Sequence, residues 1–328
     1  MKTDIHQHLW TEPLVEALAR RRELPFVRNE RGLTVLFGAG ERPYVIDLDS
    51  EAPTRRAELV ERDGLDRALV CLSSPLGIEP LPREPAKELI DAYLEGALAL
   101  GGPFDVWAPL ALAHVNPNDV DDALERGCVG ISLPAGALSG IDQLARLSPA
   151  LARVQRHGAP LFVHPGPSTR LPAGEAPLGD PLWWPALTRY VAEMQAAWLV
   201  WATAARRLFP ELRVVFAMLA GLAPLHTERL RSRGGPITRD ADPLVFYDTS
   251  SYGPRAVGLM EQLVGPAQLV YGSDRPVVDP AAPGARDGLD WELFAEHTER
   301  VFADPRTPTL SHVASRPKRV AVLGRVGL

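Results

Sequence analysis

Lysine is scarce in this chain: of 35 Lys and Arg residues, only Lys2, Lys87 and Lys318 are lysine. Acidic residues outnumber basic ones by 41 to 35, a net charge of −6, so the basic footprint that holds nucleic acid is missing. Cysteine is scarcer still. Cys71 and Cys128 each sit in an apolar run, which predicts buried thiols in a reducing cytosol rather than a disulfide. No stretch reaches ~18 uninterrupted apolar residues, so no membrane-spanning helix and no membrane partner are expected. The N-terminus opens on a polar strand, not on a basic segment and apolar core, which predicts a cytoplasmic protein without a signal peptide. No Gly-x-Gly-x-x-Gly follows an early strand, which argues against a dinucleotide-binding open sheet.

What is present is a large core. Hydrophobic residues make up 46% of 328 positions and charged residues 23%, the balance of a globular α/β chain. Eight short apolar runs recur: Thr3–Leu9, Arg67–Leu72, Val106–Leu112, Val129–Leu133, Pro160–Val163, Arg213–Leu219, Leu244–Tyr247 and Gln268–Tyr271. Near-continuous apolar strands suit a parallel sheet buried on both faces. Helical patterns separate them at Thr54–Asp63, Ala86–Leu100, Asn118–Arg126, Ile141–His157, Leu187–Phe209, Pro224–Arg233 and Pro254–Leu263, with Trp291–Phe302 and Ser311–Leu323 after the last strand. Thr54 and Asn118 have the chemistry of helix N-caps. Eight strand–helix pairs predict a (β/α)8 barrel in one domain spanning residues 1–328. Residues 10–53 exceed a minimal barrel and predict a small β-hairpin, Gly32–Phe37 and Tyr44–Leu48 about Gly38-Ala39-Gly40. Residues 165–184 predict a long loop after the fifth strand.

Asp4-Ile5-His6-Gln7-His8 is the motif that carries chemistry. On a strand, alternate side chains share a face, so His6 and His8 point together and suit a first-row metal. A barrel collects its active groups at the C-terminal strand ends. There the fifth strand supplies His164 and the eighth Asp274, in Gly272-Ser273-Asp274. His6, His8, His164 and Asp274 thus offer three nitrogens and one oxygen to a single cation. His114 follows the third strand, and Ser73, Ser74, Asp248 and Tyr252 follow the second and seventh.

In the order and spacing of these motifs the chain resembles the amidohydrolase superfamily, in its amidohydrolase-2 branch of aminocarboxymuconate-semialdehyde decarboxylase-like enzymes. The resemblance implies that His6, His8, His164 and Asp274 bind the metal and that Asp274 takes a proton from metal-bound water. It also makes a homodimer an expectation. Two positions depart from the family pattern. The fourth strand reads Gly130-Ile131-Ser132-Leu133-Pro134, without the bridging Lys or Glu of binuclear members, which predicts one metal. Met218 stands where the family places a sixth-strand His, and a thioether exchanges no protons. His114 and His226 are candidate substitutes, although His226 reads first as a solvent-facing helix residue.

Substrate-binding candidates are Arg275, Arg170, Trp183, Met218 and Tyr252. Either arginine suits a substrate carboxylate, although Arg275 reads first as a structural ion pair holding the strand-eight loop. Trp183 beside Trp184 suits a lid over the mouth. The first functional reading is a mononuclear hydrolase of a small-molecule amide, lactone or related cyclic bond, with Asp274 as base, His114 assisting and Zn2+ as cofactor, Mn2+ being the alternative. The alternative function is nonoxidative decarboxylation of an unsaturated or aromatic acid. A metal-binding pseudoenzyme is the second alternative.

Overall fold

Parallel pairing organises the computed structural model, which describes residues 1–38, 42–169, 181, 183–236, 241–278 and 288–303. The expected Ser311–Leu323 helix and Arg170 lie outside the described residues. Strands β1 (Thr3–Gln7), β5 (Arg67–Val70), β6 (Phe104–Pro109), β7 (Gly130–Pro134), β8 (Leu161–His164), β9 (Val214–Phe216), β10 (Val245–Asp248) and β11 (Leu269–Val270) form one eight-stranded sheet in chain order. Its ends meet through Ile5 N donating to Tyr271 O at 2.9 Å, Asp274 N to His6 O at 2.8 Å and His8 N to Arg275 O at 2.7 Å. The sheet is a (β/α)8 barrel, as its strand count predicts. Leucine, valine and isoleucine on these strands are almost fully buried, because helices cover the outer face and side chains fill the inner one.

The outer helices fall close to the apolar patterns: α2 (Pro53–Arg62), α3 (Arg83–Leu98), α4 (Asn118–Glu125), α5 (Ile141–Arg156), α10 (Pro254–Val264), α11 (Trp291–His297) and α12 (Glu299–Phe302). The expected Leu187–Phe209 helix is built in pieces. Short α6 (Trp184–Leu187) precedes α7 (Arg189–Val200), which continues through a π turn at Trp201–Ala205 into α8 (Arg206–Leu208). Only α9 (Thr227–Ser232) forms at the expected Pro224–Arg233. Neither expected N-cap forms: α2 begins at Pro53, and at the start of α4 Asn118 N donates to Asn116 Oδ1 at 3.2 Å, without a capping side chain at Thr54 or Asn118.

The insertion is larger than a hairpin. Residues 10–53 hold α1 (Glu12–Arg20) and a three-stranded antiparallel sheet of β2 (Phe26–Glu30), β3 (Leu33–Phe37) and β4 (Tyr44–Ile46). Leu14, Ala17 and Leu18 bury one face of α1, the helical spacing that short strand-like segments nearby obscure. The helix packs on α3 at Gly96, where a Cβ would lie 2.2 Å from Thr11 Oγ1. Only glycine permits that approach. Among the described residues no helix is long and apolar enough to cross a membrane.

Candidate metal centre

Barrel closure brings four side chains from three distant strand ends to one point. His6 Nε2 lies 3.2 Å from His8 Nε2 and 3.4 Å from Asp274 Oδ1. His8 Nε2 lies 3.1 Å from Asp274 Oδ1 and 3.3 Å from His164 Nε2. Three imidazole nitrogens and a carboxylate oxygen, each offering a lone pair, repel one another at such distances unless a proton or a cation lies between them. A tetrahedral cation with bonds of ~2.0–2.1 Å has edges of about 3.3–3.4 Å, so the donor set fits one divalent ion.

Each imidazole is turned by a partner on its other nitrogen. His6 Nδ1 meets Asp248 Oδ2 at 2.6 Å, His8 Nδ1 meets Cys71 O at 2.9 Å, and His164 Nδ1 meets Pro165 O at 2.7 Å. All three partners are acceptors, so Nδ1 carries the proton and Nε2 offers its lone pair to the centre. Asp248 is itself fixed, accepting from Ser250 N at 2.6 Å and from Ser250 Oγ at 3.0 Å. Gly272 makes room for it, since a Cβ there would lie 2.1 Å from Asp248 Oδ1.

The charges follow from this crowding. Burial pushes the Asp274 carboxyl up, but His6, His8 and His164 outweigh it and hold it down at about 2. Burial and the neighbouring His6 and His8 hold His164 well below the usual imidazole range. Burial likewise raises Cys71, but His8 and His6 bring the thiol below its ordinary value. Asp4 shares the strand face of His6 and His8, yet its carboxylate is a brace. It accepts from the backbone N of His6 and of Ser273, each at 3.0 Å, and from Gln7 Nε2 at 2.8 Å. Arg56 supports the same strand from outside, donating to His8 O, Gln7 Oε1 and Glu51 Oε2.

The other expected site residues are placed differently. His114 is exposed, and its carbonyl accepts from Arg83 Nη1 at 2.8 Å; the described contacts do not link it to the cluster. The loop beyond β6 carries it outward, which strand-end position alone does not reveal. Arg275 is ion-paired with Asp63 at 2.7 Å, the structural option of its two readings. Trp183 and Trp184 are 55% and 44% exposed with ring centroids 5.7 Å apart. Tyr252 lines a cavity of about 290 Å3 with Ser250, Ser251 and Ser273, and Ser251 Oγ reaches Asp274 Oδ2 at 3.2 Å. Met218 is buried and starts a left-handed turn, with φ of 44°, 51°, 54°, 58° and 62° from Met218 to Leu222. Such a turn costs roughly 1–2 kcal/mol per non-glycine residue. Helix α7 holds it, Gln195 Nε2 donating to Gly221 O at 2.8 Å. Two residues given no role from the sequence stand beside the histidines: Asp248, visible in sequence only as a strand-end carboxylate, and Cys71, visible only as a buried thiol.

No family model matches the sequence, and no curated protein matches it. Solved structures do. An amidohydrolase II structure superposes with a TM-score of 0.70 at 16% identity, covering 92% of this chain and 99% of the other. The 5-carboxyvanillate decarboxylase of Novosphingobium aromaticivorans, complexed with manganese and 4-hydroxy-3-methoxy-5-nitrobenzoic acid, gives 0.68 at 15% identity over 92% and 96%. The IDCase of Metarhizium anisopliae gives 0.66 at 16% identity over 93% and 92%. At such identities the likeness is one of fold, and this chain has the (β/α)8 barrel of these amidohydrolase and decarboxylase structures.

Proposed function

We propose that this chain is a metal-dependent enzyme of the amidohydrolase-2 branch, holding one divalent cation, Zn2+ or Mn2+, and releasing CO2 from an unsaturated or aromatic carboxylic acid. The observation that carries the metal reading is the set of four donors, each within 3.1–3.4 Å of at least one other, with every imidazole Nδ1 already engaged. The decarboxylase reading, second to hydrolysis on sequence grounds, moves first because the similar solved structures include 5-carboxyvanillate and 2,6-dihydroxybenzoate decarboxylases. Hydrolysis of a small amide or lactone is the second reading, favoured by Asp274 as an ionised base that needs no sixth-strand partner.

When bound, the cation supplies Lewis-acid polarisation and a grip on substrate oxygens. His6, His8 and His164 hold it through Nε2, and Asp248 keeps the His6 ring in the required tautomer. Asp274 is the group placed to carry a proton, its Oδ2 steadied by Ser251. In the reaction the bond from carboxyl carbon to ring or vinyl carbon breaks. CO2 departs, and the electron pair left on that carbon takes a proton that comes from solvent water and is relayed through Asp274.

The test uses the full chain, stripped with chelator and reloaded with Zn2+ or Mn2+. Hydroxylated aromatic and unsaturated acids are assayed for CO2 release and for deuterium incorporation in D2O, beside a panel of lactones and amides. Decarboxylation with deuterium at the vacated carbon, lost in His164→Ala, is the expected result. Turnover confined to lactones or amides would replace this reading with hydrolysis. A metal-loaded chain inert to both panels would favour the pseudoenzyme.

A further inference from the structure

Cys71 lies one residue beyond β5, buried at the same barrel end as the histidines. Its Sγ is 3.6 Å from His8 Nδ1. The sulfur and one ring nitrogen each of His6, His8 and His164 all lie within 4.8 Å of one another. Asp274 approaches the opposite nitrogen of His8. The three imidazoles are therefore flanked by two further donors, a hard oxygen and a soft sulfur. A cysteine kept only as a small apolar filler belongs among aliphatic side chains. This one instead lies among polar rings, its sulfur on the Nδ1 side of His8 and within 4.8 Å of a ring nitrogen of each histidine.

We propose that Cys71 is a further donor to the cation and that its sulfur makes the centre select Zn2+ over Mn2+. The proposal rests on the metal reading above. Thiolate ligands favour Zn2+, whereas Mn2+ favours carboxylate, carbonyl and water oxygens. A Zn–S bond is ~2.3 Å, so binding requires the sulfur to move in toward the Nε2 atoms. Rotation about its single side-chain torsion is the movement available to it. Such a ligand distinguishes this centre from one built of three histidines and a carboxylate alone.

The full chain, stripped and reloaded with Co2+, provides a readout independent of turnover. A sulfur ligand produces an intense near-ultraviolet sulfur-to-cobalt charge-transfer band. Wild type should show it, and Cys71→Ser and Cys71→Ala should not. In competition between Zn2+ and Mn2+, read by mass spectrometry, both variants should lose about tenfold or more of the zinc preference. If either variant fails to fold, the wild-type cobalt spectrum still decides. Co2+ bound without the band, with an undiminished zinc preference in a folded variant, would overturn the proposal and leave the metal reading intact. A wild type that binds none of the three ions, like His164→Ala, would instead sink the metal reading and this inference with it.

Discussion

His6 Nδ1 and Asp248 Oδ2 lie 2.6 Å apart, with both side chains completely enclosed. The pair joins the first barrel strand to the seventh and fixes which His6 nitrogen faces the centre. Asp248→Asn keeps the shape but removes the charge that anchors the Nδ1 proton. Metal affinity should fall roughly 10- to 100-fold, the usual effect of losing an outer partner of a ligating histidine. Chelator competition measures it, and unchanged affinity in a folded variant would refute the positioning role.

Glu79 is buried in the loop after β5, Oε1 accepting from Ser74 Oγ while Oε2 meets no protein donor. Burial pushes its carboxyl up to about 7. The folded state therefore holds a proton that the unfolded chain has already released above its ordinary carboxylate range. Stability should fall as pH rises between about 4.5 and 7, and stay lowered above that, by on the order of 2–3 kcal/mol. Glu79→Gln mimics the protonated form, so it should raise Tm at pH 8 and leave it nearly unchanged at pH 5. Equal shifts at both pH values would contradict this assignment.

Ala220 and Ala223 are both fully buried, but only Ala220 has positive φ, 54°. Glycine relieves left-handed strain at the first position and only adds backbone freedom at the second. Ala220→Gly should thus be less destabilising than Ala223→Gly by about 1 kcal/mol, since each loses one buried methyl. Urea denaturation of both variants checks the difference, and equal losses would argue against strain after β9.

Arg56 and Glu51 form a buried ion pair at 2.6 Å. Arg56→Met leaves the carboxylate enclosed without its cation and should cost on the order of 3–5 kcal/mol. Adding Glu51→Met should recover much of that loss, although His8 O and Gln7 Oε1 still lose their donor. A double variant no more stable than the single would show that the backbone bonds, not the stranded charge, dominate.

Much of the architecture was legible because parallel strands buried on both faces are continuous apolar runs, and eight of them alternate with helices. The strand-end rule then placed His6, His8, His164 and Asp274 at one mouth. Their side chains meet there. Helix α1 is obscured in sequence by the strand-like segments that follow it, and Phe26–Glu30 is too polar to resemble a core strand. His114 shows the opposite error. It follows the third strand in sequence, but the loop after β6 carries it to the surface.

The sequence by itself determined the residue types, their strand faces and their order, since side-chain alternation and strand length are local properties. Tertiary structure decided the distances. Asp248 reaches His6 across 242 positions only because the barrel closes. Cys71 stands beside His8 only because β5 pairs with β1. Arg275 is committed to Asp63 only because α2 packs against the strand-eight loop. Periodicity states which way a side chain points. It carries no information about what waits on the other side.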